Sequence, residues 1–313
     1  MAISVASRLG FDETQSGTLA LLATEASRNI LVHGGGGQVV LSGIKEDNTA
    51  LARILAIDKG KGIANMAEAM CDCFSTAGTM GGGLGAMKRM ATKLDIFTGR
   101  NGTVVMVELR KPGSYEIESH RKLQIAGFAV PYPGERVCGD SWFSHQTPHR
   151  TVILLADGLG HGGGASEVAR EAVAAFRRRA EFSPGVILGY VHDALRKTRG
   201  AVAAVAEIRP AEGALIYAGV GNISGVVLDG SASNSLVSHN GTLGTMTPKI
   251  QEFRSTWTSN SMLVLHSDGL QSKWDLSSYA GLLSGHPATI GGLLLRDFRR
   301  ERDDVSVVVT KEA

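Results

Sequence analysis

Four aspartates stand where apolar runs begin or end. TVILLAD and SMLVLHSD both close on an Asp-Gly pair, Asp157-Gly158 and Asp268-Gly269. Asp140 follows a glycine in RVCGDSWF, and Asp303 with Asp304 opens the run DDVSVVVT. Carboxylates at the ends of neighbouring strands can converge, and several uncompensated negative charges held close repel strongly. Hard divalent cations such as Mg2+ or Mn2+ resolve that conflict, because they prefer carboxylate, carbonyl and water oxygens. A glycine after the aspartate lets the main-chain carbonyl reach a cation and leaves room for water. A single Asp-Gly is an ordinary turn; its recurrence within an ordered set of four acids is the signal.

The same stretch offers a rival chemistry. Gly158, Gly160 and Gly163 satisfy the G-x-G-x-x-G spacing of a dinucleotide-binding turn, between a strand and a helix. That turn requires a second parallel strand about twenty residues on, ending in an acid that grips the ribose. A long helical pattern, RRRAEFSPG and a second helical pattern follow instead, and no strand carries Glu181. The dinucleotide reading therefore fails, and the glycines flank a candidate metal ligand.

A second constellation lies near the start. Glu25 and Asn29, four residues apart in GTLALLATEASRNILVH, project from one side of a helix, and His33 continues the line. ARILAID then delivers Asp58 into DKGKGI, where Gly60 and Gly62 remove side chains on either side of Lys61. STAGTMGGGLGAMKRM is a glycine loop leading into a helix, a geometry that offers backbone N–H groups to a polyphosphate. No G-x-x-x-x-G-K-[ST] occurs, so the site is not a P-loop. Gly34–Gly37 reads as a tight helix-to-strand connection.

The elements that must position these groups fall into two sets. Helices are expected over 17–33 and 82–94, with strands at QVVLSGI, ARILAID and TVVMVEL. After ELRKPGSYEIESHRK come strands at LQIAGFAV, TVILLAD, ALIYAGV, SMLVLHSD and DVSVVVT, and helices over 165–180 and 183–198. Successive strands with few helices between them indicate an α+β chain of antiparallel sheets covered by helices. The expected domains are 1–112 and 121–313, joined by a linker over 113–120. A length of 313 residues accommodates two cores. Forty glycines far exceed the usual ~7%, and they cluster at the loops just described. A net charge of +2 argues against a nucleic-acid partner, and no apolar run reaches membrane-spanning length. Cys71, Cys73 and Cys138 form neither a disulfide framework nor a zinc pattern. With no basic, apolar leader at the start, the expected compartment is the cytoplasm.

Residues 15–110 resemble the Bergerat-type ATPase and kinase superfamily, and within it the anti-sigma-factor serine kinases. The carrying residues are TEASRNILVHGGGGQVVL, AIDKGKGI, STAGTMGGGLGAMKRM and GTVVMV. The resemblance implies a Bergerat-fold α/β sandwich that binds ATP with Mg2+. Asn29 would be the magnesium ligand, and Asp58 would accept from the adenine amino group. Gly60 and Gly62 would let backbone approach the base and ribose, with Gly81, Gly83 and Gly85 closing over the phosphates. Thr103 completes the nucleotide set, and Glu25 is the candidate base for a substrate hydroxyl.

Residues 120–310 resemble the metal-dependent (PPM) serine/threonine protein phosphatases, in the sporulation stage-II-E branch. The aspartate motifs carry the likeness together with AVPYPGERVCGDSWF and IYAGVGNISG. It implies an α-β-β-α sandwich with two central antiparallel sheets and two Mn2+ or Mg2+ ions. Asp157 would bridge the ions and Gly158 would add its carbonyl; Asp140 would serve one ion, Asp268 and Asp303 the other. Asp304, where the wider family often has asparagine, would stand behind the ligands. The implied reaction is hydrolysis of phosphoserine or phosphothreonine by metal-activated water, with His161 protonating the leaving oxygen. In the wider family that histidine directly follows the Asp-Gly pair; here Leu159 and Gly160 intervene. Together the resemblances imply a bifunctional regulator of bacterial partner switching. Its partners would be a phosphorylated STAS-domain antagonist or scaffold and a downstream regulator of a sigma factor or cyclase. Two alternatives stay open: a first half that only binds nucleotide, as a sensor or docking module, and a non-catalytic anti-sigma-type binding protein.

Overall fold

The structure, a computed structural model, describes residues 1–46, 49–71, 83–113, 123–230, 232–245 and 249–312. Gly81, Cys73 and most of the expected linker lie outside them. In chain order the elements begin with α1 (Ala2–Leu9), α2 (Glu13–His33), β1 (Gly37–Glu46), β2 (Thr49–Asp58), α3 (Met66–Ala69) and α4 (Gly83–Met90). Then come β3 (Lys93–Gly99), β4 (Gly102–Arg110), β5 (Leu123–Val130), β6 (Asp140–Gln146), β7 (Thr151–Gly158), α5 (Gly162–Arg177) and α6 (Pro184–Ala194). The rest are β8 (Ala201–Arg209), β9 (Ala214–Val220), β10 (Ser224–Asp229), β11 (Ala232–Leu236), β12 (Phe253–Thr256), β13 (Ser261–His266), α7 (Pro287–Phe298) and β14 (Val305–Glu312). No helix among the described residues is long and apolar enough to cross a membrane.

The chain divides into two units, Met1–Glu116 with Tyr279–Arg296, and Ile117–Ser278 with Asp297–Ala313. The first is built on an antiparallel sheet of order β1-β2-β4-β3. Asp12 starts α2 with a capping box: its carboxylate accepts the Gln15 N–H, while the Gln15 side chain accepts the Asp12 N–H. Leu19, Leu22, Ala26 and Ile30 then recur at helical spacing and bury against Ala52, Ile54, Ala56, Val105 and Val107. The expected helix over 82–94 is shorter than its pattern. It ends at Met90, and the Thr92 N–H already bonds to the Glu108 carbonyl, carrying the chain into edge strand β3.

The other face of this sheet carries a segment from late in the chain. Tyr279–Arg296 was placed in a continuous second domain over 121–313, yet it groups with the first unit. Gly292 of α7 lies so close to Val104 and Leu55 that a Cβ there would be 2.7 and 2.9 Å from them. Asp95 of β3 accepts from the His286 N–H at 2.8 Å and the Thr289 hydroxyl at 2.6 Å, satisfying the start of α7. A helix buried along its length from Pro287 to Arg296 must pack on apolar surface, and one such surface is the alternate face of β2 and β4.

The second unit contains two five-stranded antiparallel sheets, β11-β10-β13-β14-β5 and β12-β9-β8-β7-β6. Period-two alternation assigns the faces. Val152, Leu154 and Ala156 of β7 pack under Val168, Ala172 and Phe176 of α5 and Ile187, Leu188 and Val191 of α6. Ile153 and Leu155 point the other way, into a core shared with Leu263, Leu265 and Val308 of the second sheet. Trp142 of β6 lies over Gly127 of β5, on the other sheet, so closely that no Cβ would fit there. Strand β8, AVAAVAEIR, escaped the sequence reading because alanine is a poor strand former. Here alanine is chosen for closeness, with Ala203 under the helices and Ala204 and Ala206 between the sheets.

Candidate functional site

Asp157 follows Ile153 and Leu155 on the inter-sheet face of β7, at the point where the apolar core runs out. Asp140, the first residue of β6, is its direct partner across the antiparallel pair, which brings the two Cβ atoms to about 5 Å. The second sheet supplies the rest: Asp268 lies two residues past β13 and Asp303 two residues before β14, on strands that pair with each other. Asp157, Asp268 and Asp303 line one cleft of about 400 Å3, with Leu159, Gly160, Val202, Gly221, Asn222, Asn240 and Gly241. Each sheet thus contributes acids to one end of the sandwich.

The electrostatics report the crowding. Burial pushes the Asp157 carboxyl up to about 9, reinforced by the charges of Asp140, Asp268 and Asp303. Burial also raises Asp140, to about 6, with Asp304 and Asp303 adding and the nearby hydroxyls of Ser267 and Ser306 opposing. Asp303 is raised by burial and by Asp268 and Asp304, an effect that His161 partly offsets. Both carboxylate oxygens of Asp140 are buried without a hydrogen-bond partner among the described residues. Such orphaned oxygens fit a cation, which would satisfy them and cancel the mutual repulsion. The fit is incomplete without one: among the described residues, no three His, Cys, Asp or Glu side chains form a ready-made cage.

Around the acids, other groups set their positions. Asp304, buried, spends its carboxylate on the N–H groups of Tyr132 (2.7 Å) and Gly139 (2.8 Å), and so anchors the loop that delivers Asp140. The Asn222 amide donates to Asp268 at 2.8 Å. Asn222 follows Gly221, whose φ of 93° and lack of a Cβ let the chain turn against Val202. In sequence, GVGNISG reads as a turn near the site and Asn222 as a structural rather than a catalytic residue. Asn240 and Gly241, which also line the cleft, were missed in the sequence.

The glycines after the aspartates have a further reason. A Cβ at Gly158 would overlap the Ala165 carbonyl of α5, and one at Gly269 would overlap the Asp304 carbonyl. Both are close-packing positions. The dinucleotide reading fails in the structure as it did in the sequence, since β7 pairs antiparallel with both neighbours. His161 is the N-cap residue of α5, and its Nδ1 lies 2.9 Å from Glu135 Oε1.

In the first unit, Asp58 gathers the expected nucleotide residues. Its Oδ1 accepts the N–H of Gly60 at 2.8 Å and of Thr103 at 3.2 Å. The Thr103 hydroxyl meets that of Thr98 at 3.1 Å, which accepts the Ile63 N–H beside Gly62. Gly34, closing α2, packs directly on Asp58. Glu25 and Asn29 stand half-buried along α2, one turn apart. Gly83 and Gly85, expected to close over the phosphates, lie in the first turn of α4, inside the helix expected over 82–94, where Leu84 and Met87 bury against the α2 face; Gly81 lies outside the described residues.

The sequence profile of the Stage II sporulation protein E (SpoIIE) family matches residues 147–311, more than half of the chain. Phosphoserine phosphatase RsbX of Bacillus subtilis (strain 168) is 24% identical over 156 residues, covering 50% of this chain and 78% of that protein. A crystal structure of RsbX in complex with magnesium aligns with a TM-score of 0.56 at 22% identity, over 63% of this chain and 98% of that one. Serine/threonine-protein kinase RsbT of the same organism is 31% identical over 93 residues, 30% of this chain and 70% of that protein. A chain solved in work on the bacterial stressosome as a modular system controlling secondary messenger signaling aligns with a TM-score of 0.56 at 27% identity. That match covers 61% of this chain and all of the other.

Proposed function

Because the chain belongs to the Stage II sporulation protein E family, we propose that its second unit hydrolyses phosphoserine or phosphothreonine on a partner protein, using two Mn2+ or Mg2+ ions. The observation that carries this reading is the facing pair Asp140 and Asp157, with Asp268 and Asp303 lining the same cleft. Similarity to the phosphoserine phosphatase RsbX, which has been solved in complex with magnesium, supports it. Asp157, the Gly158 carbonyl, Asp140, Asp268 and Asp303 would hold the ions. Bound there, the cations supply a water nucleophile at neutral pH and neutralise phosphoryl charge.

The chain's own groups do the remainder. Asn222 holds Asp268 in place, and Asp304 fixes the loop before Asp140. The cleft, about 400 Å3, would receive the phosphorylated side chain. His161 protonates the departing seryl oxygen. Cleavage of a phosphoserine peptide in Mn2+ tests the assignment: Asp157→Asn should abolish it, and substantial surviving activity would reject the metal set.

The first unit binds ATP with Mg2+ and transfers phosphate to serine or threonine on the same or a related partner. Its similarity to RsbT and the Asp58–Gly60–Thr103 cluster support this reading. A Bergerat-type site would use Asn29 for the magnesium, with Glu25 as base. The partner would be a STAS-domain antagonist or scaffold of a partner-switching pathway, in keeping with RsbX, RsbT and the stressosome match. Labelled ATP offered with a STAS-domain protein decides between kinase and nucleotide sensor: binding without transfer favours the sensor.

A further inference from the structure

His161 departs from its expected place beside the Asp-Gly pair, and the structure supplies what such a displaced imidazole needs. Leu159 and Gly160 carry the chain past the cleft they line, and Gly160, at φ 86°, turns it so that His161 becomes the N-cap residue of α5. An N-cap side chain ordinarily bonds to the helix it starts. This one does not; its Nδ1 meets Glu135 Oε1 at 2.9 Å. The next residue, Gly162, makes room: a Cβ there would lie 3.2 Å from both Glu135 carboxylate oxygens, on backbone at φ 73°. The ring also rests against Tyr132, with centroids 5.5 Å apart. Glu135 and Tyr132 belong to one turn, closed by the Glu135 N–H to the Tyr132 carbonyl at 3.0 Å and anchored through the Tyr132 N–H to Asp304. The imidazole is therefore gripped at one nitrogen by a loop that is tied to the aspartate site, and it lies within electrostatic reach of Asp303.

We propose that Glu135 is a positioning residue for proton donation in this cleft: it fixes His161 through Nδ1 and leaves Nε2 to face the leaving group. A carboxylate on one ring nitrogen sets which nitrogen does the work and how the ring is turned. In the reaction, a water oxygen bonds to phosphorus while the bond from phosphorus to the seryl oxygen breaks. The Nε2 proton passes to that oxygen, the attacking water's proton leaves to solvent, and solvent recharges the ring. This inference rests on the hydrolase reading above.

The test compares two leaving groups on the full chain in saturating Mn2+. A seryl oxygen needs a proton as it departs; the phenolate of p-nitrophenyl phosphate does not. Glu135→Ala should lower kcat on a phosphoserine peptide at least ~10-fold, as loss of a positioned acid does. Its KM, its Mn2+ requirement and its rate on p-nitrophenyl phosphate should change less than about twofold. Glu135→Gln, whose amide oxygen can still accept from Nδ1, should recover most of the peptide rate, and Glu135→Ala added to His161→Ala should cost nothing more. Equal losses on both substrates, or no loss on the peptide, would overturn the role of Glu135 while leaving the hydrolase reading standing. A wild-type chain that cleaves neither substrate in Mn2+ would overturn both.

Discussion

Replacing Asp140 by asparagine should make the metal-free protein more stable while it destroys cation binding. Asp140 ionises near 6 in the folded protein against 3.8 for an unhindered aspartate, because burial and the charges of Asp304 and Asp303 penalise its anion. A shift of about 2 units at ~1.4 kcal/mol each is a penalty of about 3 kcal/mol on the folded state. A raised carboxylate pKa means that the penalty is absent below the unfolded value, grows between about pH 4 and 6, and is fully present at pH 7. Asparagine keeps the shape and removes the charge, and its buried amide, lacking partners where the carboxylate lacked them, returns ~1 kcal/mol of cost. The net gain is about 2 kcal/mol, or roughly 5 °C in Tm for a unit of this size. Thermal unfolding in EDTA at pH 7 reads it directly, and the gain should shrink toward zero near pH 4. In excess Mn2+ the order should invert, since only the wild type gains from a ligand that binds the native state. An Asp140→Asn protein less stable than wild type in EDTA at pH 7, or equally shifted at both pH values, would refute the claim that these carboxylates are crowded.

Other outcomes probe the two units separately. Asn29→Ala should lose magnesium-dependent ATP binding, read by calorimetry, and leave phosphopeptide cleavage intact. Gly158→Ala places a methyl against the Ala165 carbonyl; urea unfolding should show a loss of about 1–3 kcal/mol from overpacking. Glu108→Gln breaks the buried pair with Arg53, whose nitrogens lie 2.6 and 2.8 Å from one carboxylate oxygen. It should cost about 3–5 kcal/mol, and an apolar replacement of both partners should recover most of that.

Much was legible along the chain because the signals are local. Strand β7 showed as an apolar run, α2 as a period of three and four, and Gly34–Gly37 as a short connection; each depends on neighbours within a few residues. The acids Asp140, Asp157, Asp268 and Asp303 stood out by type and by their places beside apolar runs. Their order also carried a family likeness that later comparison upheld for the second half. What the chain could not display is distance in space. Nothing in the sequence sets Asp140 opposite Asp157; the antiparallel register of β6 and β7 does. Glu135 and His161 are 26 residues apart, and Asn222 and Asp268 are 46 apart, so only folded loops introduce them. Gly158 and Gly269 looked like metal-site residues and proved also to be points of close packing, a demand made by α5 and Asp304 rather than by their neighbours. Tyr279–Arg296 reads as part of the second half and groups with the first, because Gly292 packs on Val104 and Leu55 and Asp95 holds His286 and Thr289, contacts that no local pattern announces. Residue type and spacing determined which groups were available for chemistry; sheet register and close packing decided which of them meet.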